Sequence, residues 1–130
     1  MTREELDQAL FDDLLDLYYR SGREVTYVLP SGRVGPYWPR RYHQMIKRYH
    51  FEAHPSRIVE ATEKMVNKPS TIGFGIIEDA DRLDLSVEVL VVDEDRPYHH
   101  LFSAEAVEAA HSRIEAYLAR RSGSSAAADQ

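Results

Sequence analysis

The segment from Arg40 to Arg57 combines positive charge with aromatic rings, a combination that nucleic-acid-binding proteins use. Cations neutralise backbone phosphates, and flat rings stack on unpaired bases. Tyr37 and Trp38 lie just upstream of the segment. The candidate contact residues are Arg40, Arg41, Gln44, Lys47, Arg48, Phe51 and Arg57. We therefore expect a non-enzymatic binding protein that uses this helix to contact nucleic acid or an acidic protein surface.

The same charges have other interpretations. Basic stripes are common on solvated helices, and they also pair with a chain's own carboxylates. Residues 33–57 hold six basic side chains and one acidic one, a net +5, whereas the whole chain carries −6, so the remainder carries −11. If the basic and acidic faces of two copies met, the protein would be a self-associating assembly subunit, such as a homodimer, with no affinity for nucleic acid.

Histidines suggest a third hypothesis, a small enzyme that uses His99, His100 and nearby carboxylates. Adjacent side chains point in different directions, so two neighbouring histidines rarely bind one ion, and no catalytic motif accompanies them. His50 and His54 have the i, i+4 spacing of a metal-binding pair, but a stable site needs a third ligand. The sequence therefore predicts no metal, no cofactor and no catalytic residue.

Glu108 and His111 have the Glu-x-x-His spacing of di-iron carboxylate bundles. Such sites need a second copy of the motif and two further carboxylates on neighbouring helices. The chain has no second copy. Because His111 lies beside the apolar stripe of its helix, we expect it to be packed and hydrogen-bonded.

The composition is that of one globular domain. The chain has 130 residues, of which 43% are hydrophobic and 29% charged, and this length is typical of a single domain. Cysteine is absent, which excludes disulfides, thiolate nucleophiles and zinc–thiolate sites. The longest apolar run, Val89 to Val92, is far shorter than a membrane span. With an acidic, amphipathic start and no signal-peptide core, we expect a cytoplasmic protein that does not contact membranes.

The first elements follow from capping and spacing. Thr2 and Glu5 have the spacing of a capping box, and the apolar spacing behind them predicts a helix that ends at Gly22. Residues 24–29 favour a strand, and the turn signal at 30–33 predicts a hairpin that returns through residues 34–38. The apolar residues of the first helix are Leu6, Leu10, Leu14 and Leu17.

Further helices are predicted along the rest of the chain. The basic helix from Arg40 to Phe51 has one apolar face, and residues 56–66 form the next helix, followed by a break at 68–75. Between Asp84 and Asp93 the valines favour a strand, but a cap at Asp84 or Ser86 favours a short helix, which we prefer. Ser103 begins the last helix. The apolar face of the basic helix comprises Tyr42, Met45, Ile46 and Tyr49.

Together these elements predict the α+β class, a mostly helical single domain with a small β-hairpin after the N-terminal helix. We place the compact domain at residues 1–121. Residues 122–130 contain no large apolar side chain, so we predict that they form a flexible C-terminal tail.

Overall fold

The computed structural model describes the backbone of residues 1–68 and 72–128 and the side chains of residues 1–68 and 73–122. Within this part of the chain it shows a mostly helical α+β domain with one hairpin, as predicted. The strands are β1 (Thr26–Val28) and β2 (Val34–Pro36). The helices are α1 (Arg3–Glu24), α2 (Arg40–Lys47), α3 (Ile58–Asn67), α4 (Ile72–Asp79), α5 (Val87–Val92) and α6 (Ala104–Ala128). A π-helical turn, Arg48–Glu52, continues α2, and short 3₁₀ turns occupy Leu83–Leu85 and His99–Leu101.

Helix α1 starts as predicted but ends later. The Thr2 hydroxyl accepts a hydrogen bond from the Glu5 amide at 3.1 Å. Gly22 was predicted to end the helix, and that prediction is wrong, since α1 continues to Glu24. The Trp38 indole occupies the space where a side chain at Gly22 would lie. The glycine therefore serves close packing inside the helix and not a left-handed cap.

The hairpin after α1 is antiparallel, with Val28 opposite Val34. Gly32 has a φ of +86°, a left-handed conformation that glycine adopts without steric cost. The Leu29 amide donates to the Arg33 carbonyl at 2.8 Å and closes the turn. The hairpin leads the chain back towards α1 and positions the start of α2.

The core lies where α1, α3, α5 and α6 meet, with α2 packed across α1. Ile46 of α2 and Ile58 of α3 are both fully buried. The other residues of the predicted apolar face of α2 are half-buried, namely Tyr42, Met45 and Tyr49. Thr62 is also buried, and its hydroxyl donates to the Ile58 carbonyl at 2.9 Å. Burial of this apolar surface is the main favourable term in folding.

The region after α3 partly contradicts the sequence prediction. A break was expected over residues 68–75, but α4 begins at Ile72, and residues 69–71 lie outside the described residues. Two glycines in a helix cost about 1 kcal/mol each relative to alanine. Burial of Ile77 and partial burial of Phe74 offset that cost.

The preference for a helix at α5 is confirmed. Ser86 is its N-cap, and its hydroxyl accepts from the Val89 amide at 3.2 Å. Leu90 and Val91 are buried against the core. Tertiary burial of these residues outweighs the strand preference of the valines.

Ser103 directly precedes helix α6, and its hydroxyl accepts from the Ala106 amide at 3.1 Å. Ala106 and Ala110 are fully buried. His111 was predicted to be packed, and that prediction is wrong, because the residue is exposed. It directly follows the buried Ala110, and each residue of a helix is rotated by about 100° from the one before it. The helical backbone continues to Ala128, and the flexibility of residues 122–130 remains a prediction.

Candidate nucleic-acid interface

All seven predicted contact residues are exposed, but they do not form one set. Helix α2 and the π-helical turn place five of them on one side, opposite the fully buried Ile46. We call these five residues the basic face: Arg40, Arg41, Gln44, Lys47 and Arg48. Phe51 lies at the end of this face, and Arg57 lies beyond it, directly before α3.

The four cations of the basic face are free of intramolecular ion pairs to described residues. No described carboxylate lies within 4.0 Å of the charged groups of Arg40, Arg41, Lys47 or Arg48. Nine of the 16 lysines and arginines do have such a partner. Among the described residues, therefore, no carboxylate of the same chain forms an ion pair with these four cations.

Arg57 belongs to a different cluster. Its Nε and Nη2 atoms donate to the Glu60 carboxylate at 2.5 and 2.6 Å, and this bonding raises the pKa of Arg57. The guanidinium carbon also lies 5.2 Å from the centre of the Tyr49 ring, and Lys64 Nζ lies 5.1 Å from the same ring. Because Arg57 already has a carboxylate partner, a phosphate would have to compete for it.

Of the three aromatic residues singled out in the sequence, Phe51 has an exposed ring. It is 54% exposed and packs edge-on against Phe11, with ring centres 5.0 Å apart. Trp38 is half-buried against α1, with its ring centre 5.2 Å from that of Tyr18. Tyr37 is also half-buried. In the observed arrangement, the ring of Phe51 is therefore more accessible to a base than the rings of Tyr37 and Trp38.

Two histidines attach α2 and the π-helical turn to α1, a role that the sequence analysis missed. His43 stacks on Tyr18 with ring centres 4.0 Å apart, and His50 stacks on Phe11 at 4.5 Å. Desolvation lowers the pKa of both imidazoles. Their spacing of seven residues was the available signal, since it places both on one side of a helix.

His50 is also fixed by hydrogen bonds. Its Nε2 atom lies 3.0 Å from Gln8 Oε1, and its Nδ1 atom lies 2.9 Å from Ser56 Oγ. A neutral ring protonated on Nε2 satisfies both contacts, because it donates to the amide oxygen and accepts from the hydroxyl. Nearby, the Tyr42 hydroxyl donates to the Leu14 carbonyl at 2.5 Å. These contacts hold the basic face rigidly on α1.

The hypothesis of an enzyme at His99 and His100 gains no metal site from the described residues. The ring centres of His99 and His100 are 3.7 Å apart, and His99 Nδ1 lies 3.2 Å from the Arg96 carbonyl oxygen. Throughout the described part of the chain, no three His, Asp or Glu side chains are arranged to hold a metal ion.

Comparison of the chain with protein-family models, curated proteins and solved structures found no match. Among the described residues, no helix combines the length and the apolar character needed to cross a bilayer. Any statement about function therefore rests on the geometry of the surface itself.

Proposed function

We propose that this protein is a non-enzymatic binding protein whose basic face contacts nucleic acid. The observation that carries the proposal is the set of four exposed cations on one side of α2, with no described carboxylate within ion-pairing distance. Cations that folding leaves without a partner can neutralise phosphates at no cost in broken ion pairs. The buried Ile46 on the opposite side of the helix fixes the backbone positions from which these side chains project.

The dimensions of the face suit a nucleic-acid backbone. From Arg40 to Arg48 a helix advances about 12 Å, at roughly 1.5 Å per residue. One strand of a duplex advances roughly 3.4 Å per phosphate, so the face spans about three to four phosphates. Gln44 lies among the cations and can donate or accept a hydrogen bond at a base or sugar.

Phe51 favours a single strand over a duplex. Its half-exposed ring lies where the basic face ends, and unpaired bases offer a flat surface on which a ring can stack. In a duplex that surface is covered by the neighbouring base pairs. We expect Phe51→Ala to cost about 1 to 3 kcal/mol of affinity for a single strand and far less for a duplex.

The proposal is tested by a matched pair of double charge reversals. Lys47→Glu with Arg48→Glu changes the basic face, whereas Arg23→Glu with Arg33→Glu makes the same change in charge at exposed positions elsewhere. Binding to a fluorescently labelled oligothymidylate is followed by anisotropy at several salt concentrations. We expect the first variant to bind more weakly and with less salt dependence, and the second to bind like wild type.

Two results would overturn the proposal. Equal weakening in both double variants would show that only the overall charge matters and that α2 is no specific surface. Wild-type protein without affinity at low salt, but with a dimer seen by light scattering, would favour the self-associating subunit. In that case the reversal at Lys47 and Arg48 should shift the monomer–dimer balance.

A further inference from the structure

A cavity of about 500 Å³ lies beside the basic face, between α2 and the elements that follow α3. Its walls are mostly apolar and come from separate helices, including Met45 of α2, Met65 of α3, Phe74 of α4 and Val87 of α5. Ligand sites for small molecules have volumes of about 300 to 1,000 Å³ and apolar walls with a few polar groups. The cavity has the size and the lining of such a site.

Charged groups occur at two positions around this cavity. Arg40, Arg41 and Lys68 line it and are exposed, so they lie at its mouth. Glu88 also lines it, but this residue is only 5% exposed and therefore lies at the inner end. The charge of Glu88 is compensated, because Arg113 donates to its carboxylate at 2.8 Å. The mouth is therefore positive, and among the described lining residues the inner end carries no uncompensated negative charge to repel an anion.

We propose that this cavity binds a small carboxylate with an apolar body. The carboxylate lies at the mouth with Arg40 and Arg41, since guanidinium groups match carboxylates in charge and geometry. The apolar body fills the space beside Met45, Met65 and Phe74, and flexible methionine side chains adapt to the shape of such a group. This site shares the two arginines with the proposed nucleic-acid surface but is otherwise separate from it.

Decanoate and its uncharged counterpart 1-decanol provide the test, because they differ mainly in the head group. Binding of each to the wild-type protein is measured by isothermal titration calorimetry at equal concentration and ionic strength. We expect both to bind, with decanoate roughly three- to tenfold tighter, the range that one or two exposed ion pairs contribute. Equal affinity for the two ligands, or no binding of decanoate, would overturn the proposal.

Two double variants locate the head group. Arg40→Gln with Arg41→Gln should weaken the preference for decanoate, with Lys68 as the remaining cation that lines the cavity, and leave 1-decanol binding unchanged. Lys47→Gln with Arg48→Gln removes the same charge from the end of α2 and the π-helical turn after it, but these residues are not among those that line the cavity. This second variant should bind both ligands like wild type. A loss of the preference in both variants would overturn the placement at the mouth of the cavity.

Cavity-filling variants locate the apolar body and separate this proposal from the nucleic-acid one. Met45→Trp and Met65→Phe each enlarge a half-buried wall residue, and each variant is first checked for a cooperative thermal transition. A folded variant should lose affinity for both ligands at least tenfold and keep wild-type affinity for oligothymidylate. Unchanged decanoate binding in both folded variants would overturn the cavity as the site, whatever the outcome for nucleic acid.

Discussion

The basic face and the surface around Arg82 both carry exposed or half-buried arginines, yet folding treats these arginines differently. Arg82 Nη2 lies 2.7 Å from Glu24 and 3.0 Å from Asp84, and Arg20 Nε lies 3.0 Å from the same Glu24. These hydrogen bonds raise the pKa of Arg82 and lower the pKa of both carboxyls. At the basic face, no described carboxylate oxygen lies within 4.0 Å of a charged nitrogen of the four cations.

The difference has a local and a tertiary cause. Glu24 is 58 residues from Arg82 in the chain, so only folding brings the two together. Between Arg40 and Glu52 the single acidic residue is Glu52, at position i+4 from Arg48. Both lie in the π-helical turn, where hydrogen bonds join residues five apart and the usual i, i+4 alignment is lost. Positive charge is therefore used for intramolecular pairing at Arg82 and remains available to a partner at the basic face.

The largest loss of stability is expected where an ion pair is buried. Glu88 and Arg113 are 2.8 Å apart, and their side chains are 6% and 18% exposed. Arg113→Met leaves the Glu88 charge without a partner, which should cost about 3 kcal/mol or more of unfolding free energy. Urea unfolding measures this loss, and Glu88→Gln in the same chain should recover part of it. A loss below about 1 kcal/mol would show that this pair behaves like an exposed one.

The next effect concerns binding and not stability. Reversal of Arg41, Lys47 and Arg48 to glutamate should lower the slope of log affinity against log salt by about three, roughly one for each lost phosphate contact. The free energy of unfolding should stay within about 0.5 kcal/mol of wild type, because these side chains are exposed. Anisotropy titrations and urea unfolding of the same samples test both parts. A large loss of stability would show that the face is part of the fold.

A smaller effect compares the two surfaces directly with one type of substitution. Arg82→Ala removes a cation that bonds to two carboxylates and should lower stability by about 0.5 to 1 kcal/mol at low salt, and by less at high salt. Arg48→Ala removes an exposed cation of the basic face and should change stability by no more than about 0.5 kcal/mol. Thermal unfolding at two salt concentrations distinguishes them. Equal effects would contradict the comparison.

The smallest effect is a pH dependence of the contacts that hold α2. Desolvation lowers the pKa of His43 and His50 in the folded protein, so as the pH falls the unfolded chain takes up these protons first. Stability should be constant well above the ordinary histidine pKa of about 6.5 and decrease as the pH falls below it. The carboxyl groups with lowered pKa values also make stability depend on pH, but in a separate range, below about pH 4.5.

Thermal midpoints between about pH 7.5 and about pH 5.5 measure this dependence. His43→Phe with His50→Gln keeps a planar group at each position and should flatten the profile. His111→Gln replaces an exposed histidine and serves as the control, with a profile like that of wild type. A flattened profile in the control alone would contradict the role of the stacked pair.

Local patterns predicted most of the fold. The Thr2 cap, the leucine stripe of α1, the hairpin and the Ser86 cap all involve residues within a few positions of each other, and the structure confirms each of them. The end of α1 and the start of α4 were predicted wrongly. At Gly22 glycine was interpreted as a helix end, whereas packing with the distant Trp38 decided the outcome.

The candidate site was predictable only in part. The exposure of Arg40, Arg41, Gln44 and Lys47 follows from helical periodicity, which the sequence contains. The pairing of Arg57 with Glu60 was also within reach, because the two are three residues apart at the start of a helix. The positions of Trp38 against α1 and of Arg40 and Arg41 at the mouth of a cavity were not, since they depend on how whole elements pack.

The sequence by itself determined the helical class, the absence of thiol chemistry and the separation of basic from acidic segments, because composition and short-range spacing are sufficient for each. Tertiary structure alone decided which distant charges are paired, which rings are exposed and where a cavity remains. These properties depend on contacts between residues tens of positions apart, such as Arg82 with Glu24 and Arg113 with Glu88. Electrostatic energy depends on the distance between charges and on their burial. For residues far apart in the chain, neither the distance nor the burial can be read directly from the sequence.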